Sequence, residues 1–179
     1  DWEWCLRVNV YGVIHGLRSF VPVMLAQGDE CHIVNTASVA GLLSPPGMAI
    51  YTVSKHSVVT LTECLHQDLV TRTDLVRASV LCPAYVPTGI ADSERNRPAE
   101  LRNAPKALTP EDIAREEALR HAVNSGRITA ENVADMGFEA VRDGRFYILT
   151  HPKIKASIET RMQDILLERD PTDTFKPKA

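Results

Sequence analysis

The chain has no dominant basic block: 20 Lys and Arg face 23 Asp and Glu, a formal net charge of −3. Without a positive stripe to follow a phosphate backbone, nucleic acid is not an expected partner. No uninterrupted apolar run reaches the roughly 18 residues that a membrane-spanning helix needs, so no membrane segment is expected. Asp1-Trp2-Glu3-Trp4 is acidic and aromatic, unlike the basic start of a secretory signal. The cysteines, Cys5, Cys31, Cys64 and Cys82, form no C-x-x-C and have no histidine at metal-ligand spacing. They are expected to be reduced, buried thiols in a cytoplasmic protein, with no metal site. The six histidines, including His56 and His151, form no ligand set. Repeats and low-complexity segments are also lacking. A Ser38–His56 hydrolase pair would need a G-x-S-x-G elbow, and there is none.

What is present centres on Tyr51-Thr52-Val53-Ser54-Lys55, with Ser38 upstream at the end of an apolar run. On a helix, Tyr51 and Lys55 stand at i and i+4 and share a face. A phenol with a pKa near 10 exchanges protons poorly at neutral pH. A neighbouring ammonium favours the phenolate and moves that value toward the working range. A serine hydroxyl nearby can hold the oxygen of a carbonyl or alcohol. The three groups suit acid–base chemistry at a carbon–oxygen bond.

Along the chain, residues 4–27 carry apolar side chains at helical period, with Pro22 expected to kink the helix and Asn9 an unfavourable interior residue. Residues 31–38 read as a strand apolar enough to be buried on both faces. A loop with Gly41, Pro45, Pro46 and Gly47 leads to a second helix over 48–72. A second strand, 76–82, ends at Pro83. A polar, proline-interrupted region follows, with helical patches over 110–123. A third helix starts with Thr129 as its N-cap and stops at Asp143-Gly144. A third strand spans 145–150, a last helix 152–169. The alternation implies an α/β fold: a mostly parallel sheet with helices on both faces, three strands and about four main helices. In such sheets ligands bind beyond the carboxyl ends of the strands, where Ser38, Pro83–Thr88 and Tyr51 all fall.

These segments resemble the short-chain dehydrogenase/reductase family over almost the whole chain. Val8-Asn9-Val10-Tyr11-Gly12 is similar to its V-N-x-x-G segment. Ile33–Ser38 is similar to its strand ending in the substrate-binding serine, and Tyr51-x-x-x-Lys55 to its catalytic pair. Pro83-Ala84-Tyr85-Val86-Pro87-Thr88 is similar to P-G-x-V-x-T, with Ala84 in place of glycine. The resemblance implies a partial doubly wound, Rossmann-like domain over residues 1–170, with a substrate lid over 84–128 and a loose tail over 171–179. It implies hydride transfer between NAD or NADP and an alcohol or carbonyl substrate. Tyr51 would be the acid–base group, and Lys55 would lower its pKa and hold the nicotinamide ribose. Ser38 would bind the reacting oxygen, and Asn9 a water linking Lys55 to solvent. Pro83, Val86 and Thr88 would contact the nicotinamide, and Tyr85 the substrate, with Leu42, Leu43 and Met48 lining an apolar pocket. A homodimer or homotetramer would form through helices 4–27 and 48–72.

The family's glycine-rich T-G-x-x-x-G-x-G turn, which seats the pyrophosphate on a helix N-terminus, has no counterpart in these residues. Nor has the residue that selects NAD or NADP. Two expectations follow. The 179 residues are the carboxyl-terminal part of an oxidoreductase and are inactive in isolation; alternatively, they form a catalytically inert association module.

Overall fold

The computed structural model describes residues 1–105 and 107–175. Its elements are α1 (Trp2–Leu6), a π-helical turn (Arg7–Tyr11), α2 (Gly12–Gln27), β1 (Cys31–Thr36), α3 (Ala49–Val70), β2 (Val76–Cys82), α4 (Pro110–Asn124), α5 (Ala130–Asp143), β3 (Tyr147–Leu149) and α6 (Ile154–Leu166). The strands form one sheet in the order β1-β2-β3, and both pairings are parallel. The Rossmann-like α/β arrangement expected from the alternation is therefore present, with β1 and β3 as the edges of the sheet.

The core lies between one face of this sheet and α2 and α3. Ala37, Val58, Val59, Val80 and Cys82 form one cluster, with Val13, Leu42, Phe146 and Leu149 packed on it. Ile33, Leu69, Val76 and Ala78 form another, covered by Leu17, Val21, Met24 and Leu25 of α2. Alternate β2 residues supply both clusters, as the two-residue period of a strand requires. The opposite sheet face is covered by α5 over β2 and β3. Val34 on β1 is 37% exposed, so β1 is not buried on both faces as its apolar run suggested. Run length cannot report burial when the covering element is elsewhere.

The first helix departs from expectation in two ways. Pro22 lies inside α2, which continues to Gln27 without a break. The irregularity falls instead at Arg7–Tyr11, where the chain takes one π-helical turn around Asn9. Such turns insert a residue and are frequent at functional sites. Trp2–Gln27 as a whole is also long and apolar enough, by length and composition, to cross a membrane, with a mean hydropathy of 1.2 over its best window. No uninterrupted run had indicated this. Here one stripe of the helix packs on the sheet core. Its outer stripe, with Val8, Tyr11, Phe20 and Val23, is exposed.

Other boundaries shift modestly. β3 shrinks to Tyr147–Leu149, and the segment after Thr88 contains short 3-10 stretches at Gly89–Asn96 and Ala99–Leu101. This segment is fastened to the start of α1 by Arg97, whose side chain is 3% exposed. Its guanidinium donates to Asp1 Oδ1 at 2.8 Å and to the Leu101 carbonyl at 2.6 Å, and stacks 4.9 Å over the Trp4 ring. A cation so buried is tolerated because its donors are matched. The four cysteines are free, but only Cys82 is buried; Cys64 is exposed, and Cys5 and Cys31 are intermediate. Thr172 N–H is held by the Asp164 carboxylate at 2.9 Å; the rest of the expected tail, 176–179, lies outside the described residues.

A polar tie crosses the sheet on the face opposite the core. Ser79 is fully buried, and its hydroxyl donates to the Arg145 carbonyl at 2.7 Å, so its oxygen accepts from His32 Nε2 at 2.7 Å. Burial, helped by the Arg77 charge, pushes the His32 pKa below its ordinary value. Between that lowered value and about 6.5 the unfolded chain binds more protons, so stability rises with pH across this window. It falls as pH drops from about 6.5 and levels off below the folded pKa. His32→Gln, which keeps a donor at the ε position, should give a shallower fall in urea midpoint between pH 7 and 5. An unchanged slope would show that His32 does not contribute.

Candidate active site

β1 and β2 deliver their carboxyl ends to the same rim. Beyond β1, Ala37 N–H bonds the Leu81 carbonyl at 2.8 Å and Val39 N–H the Pro83 carbonyl at 2.9 Å, continuing the ladder past the strand. Ser38, extended at φ −174°, then caps a 3-10 turn, Val39–Gly41, its Oγ accepting from Ala40 N–H. That turn runs against α3. A Cβ on Gly41 would lie 2.6 Å from the Lys55 carbonyl and 2.8 Å from Val59 Cγ2. Glycine is required here because two backbones meet. The contact sets the Ser38 loop against the turn of α3 that carries Tyr51 and Lys55.

Tyr51, Lys55 and Ser38 are thereby brought together. Lys55 Nζ stands 5.7 Å from the Tyr51 ring centroid and donates to the Thr36 carbonyl at 3.1 Å. Burial dominates both titrations. It raises the Tyr51 phenol above its ordinary value, while hydrogen bonding by Ser38 pulls it back down and nearby Cys5 and Tyr85 add to the rise. It lowers Lys55, against the opposing influence of Cys5 and Cys82. Lowering of the phenol by Lys55, expected from their spacing, is not what sets its direction: burial does, and the hydrogen bond that opposes it comes from Ser38. Ser38 Oγ also donates to the Pro83 carbonyl at 3.3 Å. A hydroxyl has one proton, so holding a substrate oxygen requires Ser38 to release Pro83.

Asn9 reaches the same turn of α3 from the π-helical turn. Its Nδ2 donates to Ser54 Oγ at 3.0 Å, and Ser54, fully buried, donates to the Tyr51 carbonyl at 2.7 Å. Cys5, one turn before Asn9, places its Sγ 3.4 Å from Asn9 Nδ2 and 3.6 Å from Ser54 Oγ. Cys5 and Ser54 were not singled out by sequence reasoning. The signal was available: Cys5 is i−4 to Asn9, and Ser54 adjoins Lys55. Cys82 also borders the site, its thiol pushed up to about 12 by burial.

The Pro83–Thr88 segment leaves β2 along the rim. Tyr85 is exposed, Val86 intermediate and Thr88 exposed. Leu42 packs on the core, and Leu43 is only 2% exposed, so these two are packing residues more than pocket lining. A groove of about 720 Å³ lies elsewhere, between α2, α3 and α6, lined by Val10, Ile14, Thr52, His56 and Arg161 among others. Gly41→Ala should cost about 1–3 kcal/mol, because the backbone at Lys55 cannot yield as a side chain can. A urea transition would show it, and an unchanged midpoint would mean that the loop and α3 are not in forced contact.

This geometry has close relatives. Residues 1–99 match the family model for short chain dehydrogenase. The chain is 32% identical over 173 residues to the CLA biosynthesis dehydrogenase/reductase of Lactiplantibacillus plantarum, covering 96% of this chain and 60% of that protein. It is 30% identical over 176 residues to the C alpha-dehydrogenase of a Sphingobium strain, covering 96% of this chain and 56% of that protein. The crystal structure of a short chain dehydrogenase/reductase from Burkholderia phymatum in complex with NAD superposes with a TM-score of 0.93 at 54% identity, over 100% of this chain and 62% of that one. The chain thus spans about 60% of the length of such relatives, and it belongs to the short-chain dehydrogenase/reductase family.

Proposed function

We propose that this chain is the catalytic part of an NAD(P)-dependent oxidoreductase that interconverts an alcohol and a ketone or aldehyde. The observation that carries the reading is the convergence of Tyr51, Lys55 and Ser38 at the carboxyl rim of β1 and β2, with Asn9 tied to the same helical turn. The residues present suit the nicotinamide end of a dinucleotide. Lys55 is a half-buried ammonium that spends a donor on Thr36 and has others to offer ribose hydroxyls. Pro83, Val86 and Thr88 border the same rim. Residues for the pyrophosphate are not among these 179. When bound, the dinucleotide supplies the hydride acceptor or donor. The Burkholderia phymatum relative holds NAD, which favours NAD for this chain.

Tyr51 gives its phenolic proton to the substrate oxygen in reduction and removes the hydroxyl proton in oxidation. Ser38 turns from the Pro83 carbonyl to donate to that oxygen and stabilises the charge developing on it. Lys55 holds the ribose hydroxyls. Asn9 orders the water that connects Lys55 to solvent. The substrate is of moderate size, entering beneath the 84–128 lid past Tyr85. Four free thiols suit a reducing cytosol.

The 179 residues alone should show no turnover with either dinucleotide, whereas a form that also carries a glycine-rich pyrophosphate turn should oxidise secondary alcohols. In that form Tyr51→Phe should lower kcat about 10²–10⁴-fold, the usual contribution of a positioned acid–base group. Turnover of the Phe variant at the parent rate, monitored at the nicotinamide absorbance, would overturn the assignment.

A second reading, association through helices 4–27 and 48–72, is favoured by the exposed Val8, Tyr11, Phe20, Val23 and Val53 along those helices. An apolar surface of this kind marks an interface. Sedimentation should give a dimer or tetramer, and Phe20→Glu should shift it toward monomer without changing the circular dichroism. A monomeric parent would remove this reading.

A further inference from the structure

His151 follows Thr150, which is 1% exposed, just beyond the carboxyl end of β3 on the rim that holds Ser38 and Pro83. Its Nδ1 accepts the backbone N–H of Ala84 at 3.3 Å and lies 2.7 Å from Thr150 Oγ1. An amide nitrogen only donates, so Nδ1 is the unprotonated nitrogen and the ring proton sits on Nε2. With Nδ1 unprotonated, the Thr150 hydroxyl can only point its proton at the same single lone pair, which the two donors share. Burial lowers the imidazole pKa, which favours this neutral form.

Ala84 is the second residue of the segment that leads to Val86 and Thr88, and its neighbours are held as well. The Pro83 carbonyl accepts from Val39 N–H and Ser38 Oγ. Tyr85 and Pro87 press on Gly126 so closely that a Cβ there would lie 2.5 Å from the Tyr85 carbonyl oxygen. The β1 loop, the lid and the third strand thus hold successive residues of one segment. Only the third strand does so by a ring nitrogen accepting a main-chain N–H. A backbone pinned this way has a fixed direction on leaving β2, and that direction decides where Val86 and Thr88 point.

We infer that His151 is a positioning residue: its Nδ1 holds the Ala84 amide and so sets the Pro83–Thr88 segment against the nicotinamide end of the dinucleotide. The role rests on the oxidoreductase reading above, but the hydrogen bond it depends on can be read without turnover.

Three substitutions in the full enzyme separate this role from simple packing. His151→Asn keeps an acceptor at the δ position, His151→Gln moves it to the ε position, and His151→Leu removes it. The Asn variant should keep KM for the dinucleotide within about threefold of the parent, while Gln and Leu should raise it about tenfold, as loss of an acceptor from a half-buried donor implies, with kcat less affected. In amide hydrogen exchange, Ala84 N–H should exchange faster in the Gln and Leu variants than in the parent or Asn variant, with the rest of β2 and β3 unchanged. That exchange pattern also guards against a variant that merely misfolds. Gln behaving like the parent, or Asn losing as much as Leu with Ala84 exchange unaltered, would overturn the inference. Absence of turnover and of dinucleotide binding in the parent would sink the functional reading itself, while Ala84 exchange would still report whether His151 holds the segment.

Discussion

The close approach of Gly41 to the carbonyl of Lys55 is the contact on which the rest of the site depends. It joins the loop after β1 to α3 with no side chain between them. The loop brings Ser38; the helix brings Tyr51 and Lys55. Neither element alone could set the separation of hydroxyl, phenol and ammonium, because the loop has no internal ladder and the helix fixes only its own residues. The same loop reaches β2 through Val39 N–H and the Pro83 carbonyl, so the segment beyond β2 is registered to the same frame.

Within that frame desolvation competes with chemistry. Burial raises Tyr51 and lowers Lys55, pushing each toward its neutral form. Ser38 offsets the rise at Tyr51 but owes its single proton to Pro83. The groups are gathered and partly committed to each other, so their hydrogen bonds must be exchanged, not simply extended, when a substrate oxygen arrives. Cys5 and Cys82 bring polarizable thiols to the same space, with Cys82 held protonated by burial.

The first helix shows how one apolar sequence serves two purposes. Val13, Leu17, Val21, Met24 and Leu25 cover the sheet, while Val8, Tyr11, Phe20 and Val23 face outward. A helix needs only a stripe of about 100° to cover a core. The surplus apolar residues make Trp2–Gln27 apolar enough by composition to cross a membrane, and they form an exposed face beside α3.

Local sequence by itself determined the order and type of the elements: strand and helix periods, the turn residues after β1, the Thr129 cap and the Tyr51–Lys55 spacing are all short-range features. It also indicated that Ser38, Tyr51 and Pro83 share a rim, since parallel crossovers leave strand ends on one side. Tertiary structure alone decided the rest. Pro22 is absorbed within α2, and the π-helical turn falls at Asn9, where the chain packs against α3. β1 keeps an exposed face because nothing in these residues covers it. The direction of the Tyr51 shift came from burial, a sum over distant neighbours that no spacing encodes. His151 could have been found by extending the rim to the third strand, but its bond to Ala84 spans 67 residues, and only the folded sheet closes that distance.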